Sequence, residues 1–272
     1  MAQVSSHMSV AGRMPWCHWS VAEALDVDWH ELFCLTALFW LISWAWSTPV
    51  VYPLRLLVVF MHEASHAAAV IASGGTVQRI EMDAAEGGMC VHAGGNRFIV
   101  LNAGYMGSLC WGGMILLLGC RAHLDRLVAM LLGLGMSAIG IHWVRPLFSF
   151  GMIFTVLAGV LLILSGLHFP KEINSMLLRV IGLTSCMYAV IDIKSDILDR
   201  PTVPSDAALL AAHTGIPTLV WGVLWIVIAL TASITFAVLA VQRATSSSSS
   251  SRALLSSKLR SSKLPFYSGS ER

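Results

Sequence analysis

A chain of 272 residues that is 56% hydrophobic and only 12% charged carries about half the charge of an ordinary soluble domain. Its net charge of +2 and its six cysteines exclude an acidic disordered chain, a nucleic-acid binder resting on a basic face, and a small disulfide scaffold. What remains is an all-α polytopic membrane protein, built from stretches near the roughly 20 apolar residues that cross a bilayer.

Residues 1–31 form an acidic N-terminal segment. No apolar run precedes Trp29, and Glu23, Asp26, Asp28 and Glu31 make the approach acidic, so the first span is expected to act as its own targeting signal. Apolar stretches follow at 32–47, 54–72, 98–119, 124–141, 147–168, 173–191 and 217–241, which predicts about seven transmembrane helices in a domain covering 32–241. The first is short and rich in Trp40, Trp44 and Trp46, and Pro49 and Pro53 break it from the second. Cys17, Cys34, Cys90, Cys110, Cys120 and Cys186 contain no Cys-x-x-Cys pair and read as small hydrophobes.

The second stretch contains His62-Glu63-Ala64-Ser65-His66. A charged residue at the centre of a span costs about 2.5 to 3.5 kcal/mol on insertion scales, so this cluster asks for a compensating interaction. Residues four apart on a helix lie about 40° apart in projection, so both imidazoles can reach one metal ion with Glu63 beside them. In that arrangement the two histidines bind zinc and Glu63 acts as general base on the water that zinc activates. Chance produces the pattern in about 1% of chains with this length and content of His and Glu. The alternative is that the histidines are packed helix residues and Glu63 is neutralised by Arg55 or another neighbour.

Between the second and third spans, residues 73–97 hold three Gly-Gly pairs around two short alternating runs, Thr76 to Met82 and Gly88 to Ala93. They predict a small β-hairpin at the membrane surface. In the third span, Gly104, Gly107, Gly112 and Gly113 suit close helix packing, and Asn102 is a candidate substrate-binding or oxyanion-supporting residue.

A catalytic zinc needs a third protein ligand. His142, His168 and His213 lie near span ends and read as interfacial residues. The sixth span carries Thr184, Tyr188, Asp192 and Asp196 every four residues, a polar stripe that must face protein or a water-filled cavity. The second and sixth of seven spans run the same way. Asp192 and His66 each lie roughly 9 Å before their spans end, so they can meet at one depth. Asp192 is the expected third ligand and Asp196 the fallback, or a residue supporting a ligand.

The tail, residues 242–272, holds the run Ser246 to Ser251 and has no apolar periodicity, so it is expected to be disordered. From Arg243 onward it has six basic residues and one acidic, which makes it the cytoplasmic candidate. An odd span count then puts the acidic head on the opposite side.

These residues resemble a family: the intramembrane zinc metallopeptidases of the site-2-protease type, in the B-like branch of the peptidase M-fifty family. The resemblance runs through Tyr52-Pro53-Leu54-Arg55 into His62 to His66, then Gly74-Gly75-Thr76-Val77, Ala103 to Ser108, Asp192-Ile193 with Asp196, and Ser205-Asp206-Ala207 before Trp221-Gly222. It implies a protease that cuts membrane-embedded protein substrates within the lipid bilayer. Zinc would be bound by His62, His66 and an aspartate, with Glu63 as general base. The family's segment ending Leu-Asp-Gly has no copy here. Two other classes use the same framework: a catalytically inactive membrane scaffold, and a metal-dependent membrane lipid amidase or hydrolase. A zinc transporter would need acidic or histidine pairs on several helices, and the sequence offers few.

Overall fold

Every apolar stretch forms a helix, because backbone in lipid must satisfy its own N–H and C=O groups. The computed structural model describes residues 29–119, 124–199 and 205–261. The elements are α1 (Trp29–Ala45), α2 (Tyr52–Ala72), β1 (Thr76–Met82), β2 (Gly88–Ala93), α3 (Arg97–Gly119), α4 (Asp125–Trp143), α5 (Phe150–His168), α6 (Lys171–Lys194), α7 (Asp206–Thr214) and α8 (Thr218–Ser261). Six of them, α2 to α6 and α8, are long and apolar enough to span, and α1 is a shorter apolar helix. The chain is thus a multi-pass integral membrane protein. Among the described cysteines, Cys34, Cys90, Cys110 and Cys186 are all free thiols.

Burial separates a centre from a rim. More than half of the central residues of α2, α3 and α6 are buried, against 17% for α8. On α4, α5 and α8, large apolar side chains such as Leu131, Leu161 and Val227 point outward, as lipid-facing positions should.

Contacts fix the helix directions. α3 runs against α2, with Val100 beside His66 and Tyr105 beside His62. α6 runs with α2: Leu183 and Met187 pack around Val51, whereas Asp192 reaches His62. α1 runs the same way again, since Leu35 packs with Leu116, Ala240 and Val241 while Ile42 packs with Val51, Leu183 and Met187. Its final turn leads to Trp46, whose ring lies 6.1 Å from that of Tyr188. α2 then begins at the depth of Ile42 and continues in the same direction, so α1 and α2 share one crossing. This corrects the expected topology: the start of α1 and the end of the last span lie at one end of the bundle. Counting apolar stretches treats each as a crossing, but 17 residues make only about 26 Å of helix, short of the roughly 30 Å hydrocarbon layer.

The hairpin has the expected strands, paired antiparallel with an irregularity between Val77 and Arg79. Its location differs from the expected membrane surface. It leaves the C-terminal end of α2, where the Asn96 N–H donates to Ser73 Oγ (2.9 Å), and folds back along that helix. Its turn reaches the beginning of α2: Tyr52 Oη donates to Ala84 O (2.7 Å), and Arg55 pairs with Glu86 (2.9 Å). Non-helical backbone at membrane depth is tolerated only where protein or a water-filled cavity satisfies it. The outer edge of β1 is met by Arg145, whose N–H donates to Ile80 O (2.9 Å), and Val77, Ile80 and Met82 pack into the main core. Among the described residues β2 pairs only with β1, and its other edge borders a cavity.

The backbone of α8 stays helical to Ser261, beyond the span and through the serine run, where the sequence reading expects no fixed structure. Propagation of an existing helix adds one hydrogen bond per residue without a new nucleus, which the composition of the tail does not reveal. Residues 262–272, like residues 1–28, lie outside the described residues.

Candidate metal centre

His62 and His66 stand one turn apart in the middle of α2, with ring centroids separated by 4.8 Å. His66 Nδ1 donates to Val100 O at 2.8 Å. A carbonyl oxygen only accepts, so the proton of a neutral His66 is on Nδ1 and Nε2 presents a lone pair. That Nε2 lies 3.0 Å from Asp206 Oδ2, and His62 Nε2 lies 3.1 Å from the same oxygen. A lone pair facing a carboxylate at this distance calls for a cation or an additional proton between them. Two imidazole nitrogens and one carboxylate oxygen, all within 4.8 Å of one another, form a donor set that could hold a metal ion. It matches the three protein ligands of an open catalytic zinc site.

The local sequence explains how Asp206 arrives there. Ser205 caps α7, its Oγ accepting from the Ala208 N–H (3.3 Å), and Gly215 ends the helix in the left-handed region at φ 75°. Ala207 and Leu210 are fully buried against the cluster of Leu101, Tyr105 and Trp225, which aims the first residue of α7 at the histidines. Gly104 of α3 faces both imidazoles: a Cβ there would run into Nε2 of His62 and of His66. Only glycine leaves the ligating edges clear. Gly112 packs against Gly182 of α6, as expected for close helix approach.

Glu63 is 6% exposed. Gly88 of the hairpin lies so close that a Cβ on it would sit 2.5 Å from Glu63 Oε1, and Cys90 of the same strand lines the cavity beside it. These groups line a cavity of about 470 Å³ together with Asp192 and Asp196. Burial alone would raise the Asp206 carboxyl, yet hydrogen bonds and charge from His62 and His66 hold it well below the usual carboxylate range. Burial, aided by the Glu63 charge, pushes the Cys90 thiol up to about 12, so it lines the cavity as a neutral group.

Asp192 does reach the depth of the histidines, but its Oδ2 lies 3.8 Å from His62 Nδ1, on the far edge of the ring from Asp206. Asp196 accepts a hydrogen bond from Tyr105 Oη. The sequence reading placed the third ligand on α6; the structure puts Asp206 at the edge the two rings share. The reason lies in the ring edges, since Val100 occupies Nδ1 of His66 and α6 approaches only the Nδ1 side of His62. Asn102 has both ends of its amide engaged, Nδ2 donating to Phe98 O (2.8 Å) and Oδ1 accepting from Trp225 Nε1 (3.0 Å), and it packs outside the cavity lining. Arg55 pairs with Glu86, not with Glu63. His142, His168 and His213 are exposed in the last turns of α4, α5 and α7. The signal for Asp206 was present as a Ser-Asp helix start ahead of Ala207, Ala208 and Leu209.

A model of the family described as Peptidase M50B-like matches residues 33–236, which is 204 of the 272 residues. No curated protein and no solved structure matches the chain.

Proposed function

Because the chain belongs to the peptidase M50B-like family, we propose that it is a zinc-dependent intramembrane endopeptidase that hydrolyses a peptide bond in a membrane-embedded protein substrate. The observation that carries this reading is the convergence of His62 Nε2 and His66 Nε2 on Asp206 Oδ2, with Glu63 next to His62 in the same cavity. His62, His66 and Asp206 would hold the ion. Zinc in such a set acts as a Lewis acid that acidifies water and polarises a carbonyl.

The remaining chemistry belongs to the chain. Glu63, packed against Gly88 in the cavity, takes the proton of the attacking water and passes it to the departing amide nitrogen. A peptide bond inside a helix is shielded by its own hydrogen bonds, so the substrate must unwind locally before water reaches it. The cavity-facing edge of β2 supports a place for that unwound segment, held as an added strand beside Glu63. The six basic residues that follow Val241 support a cytoplasmic side for the shared end of α1 and the last span.

The test is purified protein offered a helical membrane peptide and, separately, a lipid amide, with Glu63→Gln protein as the blank. Peptide cleavage that the blank lacks is the expected result. Hydrolysis of the lipid amide alone would move the activity to a lipid amidase, and a cellular role that survives Glu63→Gln would make the chain a scaffold.

A further inference from the structure

We propose that Asp192 is a positioning residue for His62: its carboxylate accepts a hydrogen bond from His62 Nδ1–H and so sets which edge of that ring faces the metal. This inference rests on the metal reading of the site. The two histidines of one helix have different surroundings on the edge away from Asp206. His66 Nδ1 is bonded to Val100 O, so its ring is oriented by backbone. His62 Nδ1 is buried with no hydrogen-bond partner among the described residues, and Asp192 Oδ2 faces it at 3.8 Å. When Nε2 ligates a cation, a neutral imidazole must carry its proton on Nδ1. A buried N–H there requires an acceptor, and the carboxylate facing it belongs to Asp192.

The packing around the ring supports this division of roles. Tyr105 stands edge-on to His62 with ring centroids 5.2 Å apart, and its hydroxyl donates to Asp196, one turn beyond Asp192. Asp196 is thereby directed toward α3, leaving Asp192 at the level of His62. The gap of 3.8 Å is longer than a hydrogen bond. It is of the size that a small side-chain adjustment closes. Asp192 lies just ahead of the wider π-helical turn Ser195–Asp199, a place where helix register relaxes. Carboxylates that hold the second nitrogen of a ligating histidine characteristically strengthen metal binding.

Zinc affinity, measured by competition with a chromophoric chelator on full-length protein in detergent, tests the proposal. Asp192→Ala is expected to keep one zinc per chain with affinity weakened about 10- to 100-fold. Asp192→Asn, whose Oδ1 can still accept from Nδ1–H, should recover most of that loss. With cobalt in place of zinc, the visible absorption of the Ala protein should shift while that of the Asn protein stays close to wild type. Wild-type affinity and spectrum in Asp192→Ala would overturn the proposal. So would complete loss of zinc in both variants with full retention in Asp206→Ala, which would make Asp192 a ligand. If the Ala protein does not fold, the Asn protein decides: a cobalt spectrum unlike wild type overturns the proposal. A folded wild-type chain that binds no zinc would instead bring down the metal reading on which the proposal rests.

Discussion

At the scale of single residues, the site is organised by which nitrogen holds a proton. Val100 O commits Nδ1 of His66, and that commitment turns Nε2 toward Asp206. Glu63 lies one residue after His62, is 6% exposed, and does not enter the His62, His66 and Asp206 set. Glu63→Gln should therefore keep its zinc and lose about 10²- to 10⁴-fold in peptide cleavage, the usual span for a general base. Loss of zinc with the activity would put Glu63 among the ligands instead. His62, Glu63 and His66 stand out in the sequence, because three polar groups in an apolar helix are conspicuous. Asp206 showed only as a helix start and within the Ser205-Asp206-Ala207 resemblance, because α7 is too short to show as an apolar span and its aim depends on Ala207 and Leu210 docking against α3 and α8. The surroundings of Asn102 were not legible for a related reason: the partner of its Oδ1 is Trp225, 123 residues away.

Among the elements, the hairpin brings the backbone of one strand against the proposed base. Alternation and glycine pairs defined both strands to the residue, since period-two patterning is a local property. Its depth was not legible, because it is set by Tyr52 and Arg55 at the other end of α2. The close approach of Gly88 to Glu63 makes a specific test possible. Gly88→Val should reduce cleavage at least as strongly as a shortened hairpin, while zinc content stays at wild type. Undiminished cleavage in both proteins would remove the hairpin from the substrate path.

For the whole molecule, α1 and α2 together make one interrupted crossing, and Leu32 and Leu35 meet Ala240 and Val241 at one end of the bundle. Tags placed before Trp29 and after Ser261 should accordingly be protected from, or open to, protease together in sealed vesicles. Protection of one tag and digestion of the other would restore seven full crossings. Hydropathy located each membrane helix but could not give α1 its direction, which depends on contacts with α6 and α8.

The proposed chemistry requires a cation held between two imidazoles and the carboxylate of α7. Elemental analysis of detergent-purified, monodisperse protein addresses this directly. Wild type should carry about one zinc per chain, the stoichiometry of a single three-ligand site, and His66→Ala and Asp206→Ala should carry almost none. Folded wild type without zinc, or Asp206→Ala with a full complement, would contradict it.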